Sequence, residues 1–360
     1  MSAAVVLHVA GARPNFPKAA PVIRALDRHG LRQLLVHTGQ HYDERMSEVF
    51  FRQLRLPEPD INLGVGSGSH ACQTAGIMAG LDELMTATRP ALTVVYGDVN
   101  SALAAALVAT KLGIPVAHVE AGLRSFDRSM PEEINRIVVD HLSDLLLATS
   151  ADAVAHLGNE GTAADKIHFV GNPMIDTLLD NLDRFDVAGI RAALSLPDRY
   201  IVATLHRPAN VDDPAGVIDL VKAMHAVADQ LPVVLPLHPR GRHHLENAGL
   251  HSHRALRVVE PLGYIEFVSL LRGAAVVVTD SGGVQEEATM LGVPCLTLRP
   301  NTERPVTITH GTNRLVTRAA LAEAVATTLD AGRPATWRTP PLWDGKAGER
   351  IAEIIAGVLR

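Results

Sequence analysis

At 360 residues the chain is longer than one ordinary core accommodates, so two domains are expected. Its 47% apolar and 20% charged residues are those of a globular protein and exclude a disordered or low-complexity chain. A net charge of −6, with no Lys/Arg block, speaks against a nucleic-acid or membrane-surface partner, and leaves any phosphate-bearing ligand to be held by a few placed arginines.

No uncharged apolar run reaches the roughly 18 residues of a membrane span. The start lacks a basic stretch ahead of its apolar run and reads as a first strand rather than a secretion signal. Cys72 and Cys295 lie far apart in apolar or small-residue surroundings without metal-ligand spacing, and read as buried thiols of a cytoplasmic protein.

Strand-like runs and amphipathic helical stretches alternate from the first residues, the pattern of a doubly wound parallel sheet. Residues 5–10 are a first strand, and the turn after it places Arg13 and Lys18 at the C-terminal edge, where open α/β sheets bind ligands. Residues 31–38 are a second strand with exit loop Gly39-Gln40-His41-Tyr42-Asp43. The glycines at 64, 66 and 68 imitate a dinucleotide fingerprint, but no strand precedes them and the spacing is wrong, so they read as a loop. A helix over 70–88 leads to a strand at 92–96 that ends at Asp98, which either caps the helix predicted over 102–111 or serves chemistry. The strand at 115–119 delivers Glu120, and Pro131 opens a helix with Glu132 and Glu133 in its first turn, where the helix dipole favours acids in any case. Together these exits put Asp98, Glu120 and Glu132 at one sheet edge beside Arg13, Lys18 and Arg136.

Residues 167–170 close the first domain, and the polar stretch 180–186 reads as a linker, giving domains at 1–182 and 183–345 with a terminal helix at 346–360 that packs back on the first. The second domain opens with a strand at 200–204 ending in His206-Arg207, and a later strand from 233 ends in His238-Pro239-Arg240. A lone histidine at a strand end is commonly structural; the Arg and Pro that follow favour a site role for His206 and a phosphate role for Arg240. A helix through Gly273 precedes the apolar strand 275–278, and Ser281, Gly282 and Gly283 then bring backbone N–H groups to a helix N-terminus, a phosphate-sized anion site or an ordinary strand-to-helix turn. Glu286 or Glu287 is placed to reach a ribose diol beside such a diphosphate, and Arg304 forms a further polar rim. The last helix carries a packing stripe of Ile351, Ile354, Ile355 and Val358.

Two Rossmann-like domains with polar strand ends facing a cleft suit a nucleotide sugar, with nucleotide on the C-terminal domain and sugar presented to Asp98, Glu120 and Glu132. Crowded carboxylates predict that one has a raised pKa and works as an acid while another works as a base. A glycosyltransferase would use a similar cleft with an added acceptor site.

Several ordered motifs, Gly11-Ala12-Arg13-Pro14, Tyr96-Gly97-Asp98, His118-Val119-Glu120-Ala121-Gly122-Leu123-Arg124, Pro131-Glu132-Glu133-Ile134-Asn135-Arg136, Leu205-His206-Arg207, the run from Thr279 to Glu287, and Thr302-Glu303-Arg304-Pro305, resemble those of the bacterial non-hydrolysing UDP-N-acetylglucosamine 2-epimerases. The resemblance implies a glycosyltransferase-B-type fold, a cytoplasmic homodimer, and interconversion of UDP-GlcNAc and UDP-ManNAc without cofactor or metal. It assigns acid–base work to Asp98, Glu120 and Glu132 and places His206 near the leaving diphosphate. Arg13, Lys18, Arg136, Arg240, Ser281, Gly282 and Gly283 would stabilise departing UDP, Glu287 would take the ribose diol, and the loop from Leu262 to Phe267 would face uracil. Asn15 departs from a Glu found in many members, and the Gln40–Asp43 loop departs from the version that binds UDP-GlcNAc as an activator. A 2,3-diacetamido uronate substrate, a hydrolysing epimerase and a non-catalytic UDP-sugar-binding module are the alternatives.

Overall fold

The computed structural model describes residues 4–39, 44–237 and 241–360. The expectations placed on Gln40, His41, Tyr42 and Asp43 and on His238, Pro239 and Arg240 lie outside those residues. The chain divides into two compact units, unit 1 comprising 1–180 and 341–360 and unit 2 comprising 181–340.

Unit 1 is built on seven strands: β1 (Val5–Ala10), β2 (Arg32–His37), β3 (Ile61–Asn62), β4 (Leu92–Tyr96), β5 (Val116–Ala121), β6 (Leu145–Ala148) and β7 (Ile167–Phe169). They form one parallel sheet in the order β3-β2-β1-β4-β5-β6-β7. The chain therefore leaves β1 toward one edge and β4 toward the other, making β1/β4 the switch point at which such sheets leave a crevice at their C-terminal ends. The central strands are apolar because helices cover both faces. On one face Ile77, Leu81 and Met85, four residues apart on helix His70–Thr88, pack with the alanine-rich helix Asn100–Lys111 against Leu7, Val9 and Val95. The opposite side of helix His70–Thr88 is in solvent, so Cys72 is exposed, contrary to the expectation of a buried thiol, while Cys295 is buried. Helix Ala347–Val358 packs on helix Phe16–Arg28 within unit 1 and is tied down where Gly348 N–H donates to Asp176 at 2.7 Å. Its buried side is Ile351, Ala352, Ile355 and Ala356; Val358, expected in the packing stripe, is 57% exposed in the last turn.

Unit 2 repeats the plan with β8 (Ile201–Thr204), β9 (Val233–Pro236), β10 (Leu256–Val259), β11 (Val276–Thr279), β12 (Cys295–Thr297) and β13 (Asn313–Leu315), all parallel in the order β10-β9-β8-β11-β12-β13. Its switch point is β8/β11, and apolar clusters lie on both faces, one containing Ile201, Leu235 and Val278 and the other Val202, Val234 and Val277. Both units follow the Rossmann plan, and the protein has the two-domain glycosyltransferase-B-type fold. Among the described residues no helix is long and apolar enough to cross a membrane.

Candidate active site

In unit 1 the candidate residues converge on the C-terminal ends of β1, β4 and β5. Asn15, buried in the turn after β1, accepts from the backbone N–H groups of Gly11 and Ala12 at 3.0 Å each and donates to the Tyr96 carbonyl at 2.8 Å, fastening the β1 exit to the β4 exit. That last bond requires an amide donor, which a carboxylate at this position would not supply. Lys18, one turn into the next helix, is buried and paired with the buried Glu120. Gly97 leaves the space this pair occupies: its φ is +64°, and a Cβ there would sit 2.9 Å from Glu120 Oε2.

Glu120 stands inside β5 as a bulge, the register against β6 shifting between Val119 and Ala121. Its φ of +78° is a left-handed conformation costing a non-glycine residue about 1–2 kcal/mol, and it turns the carboxylate out of the ladder toward Lys18. Asp98 is paired with Arg136, whose guanidinium is also held by Glu133 at 2.6 Å. Glu133 accepts in addition from the N–H groups of Ser125 and Phe126 at 2.9 and 2.8 Å. Burial works to raise its pKa, but the Ser125 N–H and Arg136 prevail and hold it below the usual value. Asp98 does not cap the following helix; that helix begins at Asn100 with Val99 at its N-cap, and the Asp98 carbonyl takes a 2.8 Å bond from Asn135. Glu132 is half-buried in the first turn of helix Pro131–Leu142, and Arg13 is half-buried in the turn after β1.

In unit 2 the exits of β8 and β11 meet at Asp280. This fully buried carboxylate accepts from the N–H groups of His206 and Arg207 at 3.1 and 3.0 Å and from the Asn210 amide at 3.0 Å, and lies 3.1 Å from His206 Nδ1. Burial works to raise its pKa, but the adjoining His206, the Asn210 amide and the Arg207 N–H bring it down to about 2. A carboxylate on Nδ1 fixes the ring orientation of His206, whose side chain is 40% exposed. In the sequence Asp280 stands only as part of the glycine-turn motif; its one local signal is its place at a strand end directly before that turn.

Ser281 is the N-cap of helix Gly282–Met290 and its side chain makes no capping bond; its own N–H donates to the Thr279 hydroxyl at 3.0 Å, so the helix start presents the backbone N–H groups of Gly282 and Gly283. Gly282 is obligatory in this arrangement, because a Cβ would lie 2.2 Å from Arg304 Nη1. Arg304, expected on a ligand rim, is buried and paired with Glu303 and, at 2.9 Å, with Glu286. Arg299 also pairs with Glu303, at 2.7 Å. This cluster supports the glycine turn from within. Glu287 is buried on the same helix; burial and the Glu286 carboxylate push it up to about 8 against the Tyr264 hydroxyl. Phe267 is not on a loop: Gly263 caps helix Tyr264–Gly273, and Phe267 in its first turn packs half-buried against the apolar cluster around Val202 and Val277.

Sequence reading missed the partners more than the site. Asp280 meets His206 from 74 residues away and Asp140 meets His118 from 22, so neither pairing has a local mark, whereas Glu133 holds Arg136 at helical i,i+3 spacing. A cavity of about 830 Å³ in unit 1, lined by Arg24, Arg32, Arg52 and Arg55 among others, contains none of the candidate residues.

The model of the UDP-N-acetylglucosamine 2-epimerase family matches residues 24–356. The UDP-N-acetylglucosamine 2-epimerase of Methanocaldococcus jannaschii is 42% identical over 359 residues, covering 96% of this chain and 97% of that protein. The UDP-2,3-diacetamido-2,3-dideoxy-D-glucuronate 2-epimerase of Pseudomonas aeruginosa is 42% identical over 357 residues, covering 98% and 99%. The crystal structure of the Methanocaldococcus jannaschii UDP-GlcNAc 2-epimerase in complex with UDP-GlcNAc and UDP superposes with a TM-score of 0.93 at 41% identity, over 98% of this chain and 99% of that one. The chain belongs to the UDP-N-acetylglucosamine 2-epimerase family.

Proposed function

We propose that this protein interconverts UDP-N-acetylglucosamine and UDP-N-acetylmannosamine without net hydrolysis. The observation that carries the reading is the division of chemistry between the switch points: carboxylates fixed by buried cations on unit 1, and backbone N–H donors with a carboxylate-oriented histidine on unit 2. A sugar C-2 proton has no adjacent carbonyl to acidify it, so its removal is coupled to loss of the C-1 substituent. A carboxylate among Asp98, Glu120 and Glu132 takes the C-2 proton, the C-1–O bond breaks with its electrons leaving on UDP, and a C-1=C-2 alkene, 2-acetamidoglucal, remains. UDP then re-forms the C-1–O bond while a second carboxyl group delivers a proton to the opposite face of C-2.

The anionic UDP is stabilised as it departs by the helix N-terminus at Ser281, Gly282 and Gly283, with His206 beside the diphosphate and Arg13, Lys18, Arg136 and Arg240 supplying positive charge. Glu287 takes the ribose diol. The protein works as a cytoplasmic homodimer, and the chemistry uses neither metal nor cofactor.

The 42% identity to the Pseudomonas aeruginosa enzyme supports a second reading, in which the substrate is a UDP-2,3-diacetamido uronate. Separate incubations with each UDP-sugar, followed by product analysis, distinguish them. The first reading expects UDP-ManNAc from UDP-GlcNAc with UDP-sugar conserved. Conversion of the diacetamido uronate alone selects the second, and stoichiometric free ManNAc and UDP contradicts both.

A further inference from the structure

Asp140 has no role in the mechanism above, and its surroundings give it one. It lies on helix Pro131–Leu142, 3% exposed, and its two oxygens reach different parts of the same strand exit. Oδ1 accepts from His118 Nδ1 at 2.6 Å; Oδ2 accepts from the Gly122 N–H at 3.1 Å and lies 2.7 Å from Arg124 Nη1. His118 and Gly122 are two residues before and two residues after Glu120, so one carboxylate grips the chain on both sides of the bulge. The other nitrogen of His118 donates to the Gly97 carbonyl at 2.9 Å, and Gly97 is the residue before Asp98. The grip cannot drift. Arg124 is anchored to Glu160 by two bonds of 2.7 and 2.6 Å, and a Cβ on Gly122 would lie 2.4 Å from the Ala153 carbonyl oxygen, so the backbone there is already packed tight.

We propose that Asp140 is a positioning residue for the acid–base step: through His118 and Gly122 it holds Glu120 in its left-handed backbone conformation, and through His118 and the Gly97 carbonyl it sets Asp98 relative to Glu120. The proposal rests on the epimerase reading for its catalytic half and on geometry alone for its structural half.

Asp140→Asn keeps the shape but replaces one acceptor oxygen by an NH₂ donor, which must then face the His118 N–H or the Gly122 N–H and Arg124, donor against donor. A misplacement of about 1 Å at a reacting group costs on the order of a hundredfold in rate. Wild type is first assayed for deuterium uptake at C-2 of UDP-GlcNAc in D₂O; uptake establishes the epimerase reading independently of Asp140. D140N is then expected to lower kcat by about 10²-fold while KM and the UDP dissociation constant stay within about twofold, since the glycine turn and Glu287, proposed to hold bound UDP, belong to unit 2 and Lys18 and Arg136 are proposed to act on UDP as it departs. His118→Asn is expected to do the same, and the double variant to lose no more than the more impaired single variant, because both break one linkage. A folded D140N with kcat within threefold of wild type overturns the proposal, as does a parallel fall in kcat, UDP affinity and Tm. If D140N does not fold, H118N, which leaves Asp140 bonded to Gly122 and Arg124, carries the test with the same two outcomes. A crystal structure of either variant in which Glu120 keeps its φ near +78° overturns the structural half whatever the activity.

Discussion

At the switch point of unit 1 the candidate groups come as ion pairs on buried cations, Lys18 with buried Glu120 and Arg136 with half-buried Asp98 and buried Glu133. At the switch point of unit 2 the ion pairs of Arg304, Glu303, Glu286 and Arg299 are packed inside, supporting the turn, and the chain presents backbone N–H groups and His206 instead. One sheet plan is thus used twice with opposite placement of charge. Carboxylates that must exchange protons with carbon need fixed geometry, and buried counter-ions supply it. An anion that must leave and return is better met by dipoles and hydrogen-bond donors, whose hold on it needs no rearrangement.

The ion-paired acids of unit 1 should be the most sensitive positions in the molecule. Glu120→Gln and Asp98→Asn are each expected to reduce turnover by about 10²–10⁴-fold, the span of general acid–base catalysis, with UDP affinity by calorimetry changed less than about twofold. Loss of UDP affinity instead would assign these acids to nucleotide binding. Gly282→Ala is the converse break. Its Cβ collides with Arg304, an overpacking penalty of about 1–3 kcal/mol read as a fall in Tm, and the shifted turn should weaken UDP affinity while leaving the C-2 exchange at saturating substrate nearly intact.

Two carboxylates of unit 2 make its stability depend on pH in opposite directions. Glu287 has a folded-state pKa raised to about 8, so the wild type loses stability as pH climbs from its unfolded value near 4.5 through 8. Glu287→Gln should remove that loss, its gain in Tm absent at pH 4 and fully developed above pH 8; a gain independent of pH would contradict the assignment. Asp280 has the opposite sign. Depressed to about 2 from 3.8, it contributes stability that is present above about pH 4 and lost as pH falls toward 2, about 2.5 kcal/mol from the shift alone. Asp280→Asn should therefore lower stability at neutral pH by that order and flatten the acid limb of the denaturation profile.

Much of this framework was legible in the chain. The strands at 5–10 and 92–96 stand where their β-branched apolar runs put them, and Asp98 and His206 follow strand ends as their positions suggest. Other elements left weaker marks. Leu145–Ala148 has four residues and no β-branching, and Asn313–Leu315 is a three-residue polar edge strand held by pairing with β12; neither has a period of its own to read. Glu120 reads as following a strand, whereas it is a bulge within one, because nothing local announces a positive φ at a glutamate. The ion pairs were the least legible. Lys18 and Glu120 are 102 residues apart and His206 and Asp280 are 74 apart, so each partner is chosen by the sheet order and not by any local pattern.

Proton transfer by the unit 1 carboxylates is read from the fate of the C-2 hydrogen. NMR of UDP-GlcNAc incubated with the wild-type protein in D₂O should show deuterium entering C-2 of UDP-ManNAc and of the remaining UDP-GlcNAc, with total UDP-sugar unchanged. UDP-ManNAc that retains the original C-2 hydrogen, or a UDP-sugar pool that takes up no deuterium at all, would contradict proton transfer by the carboxylates of unit 1.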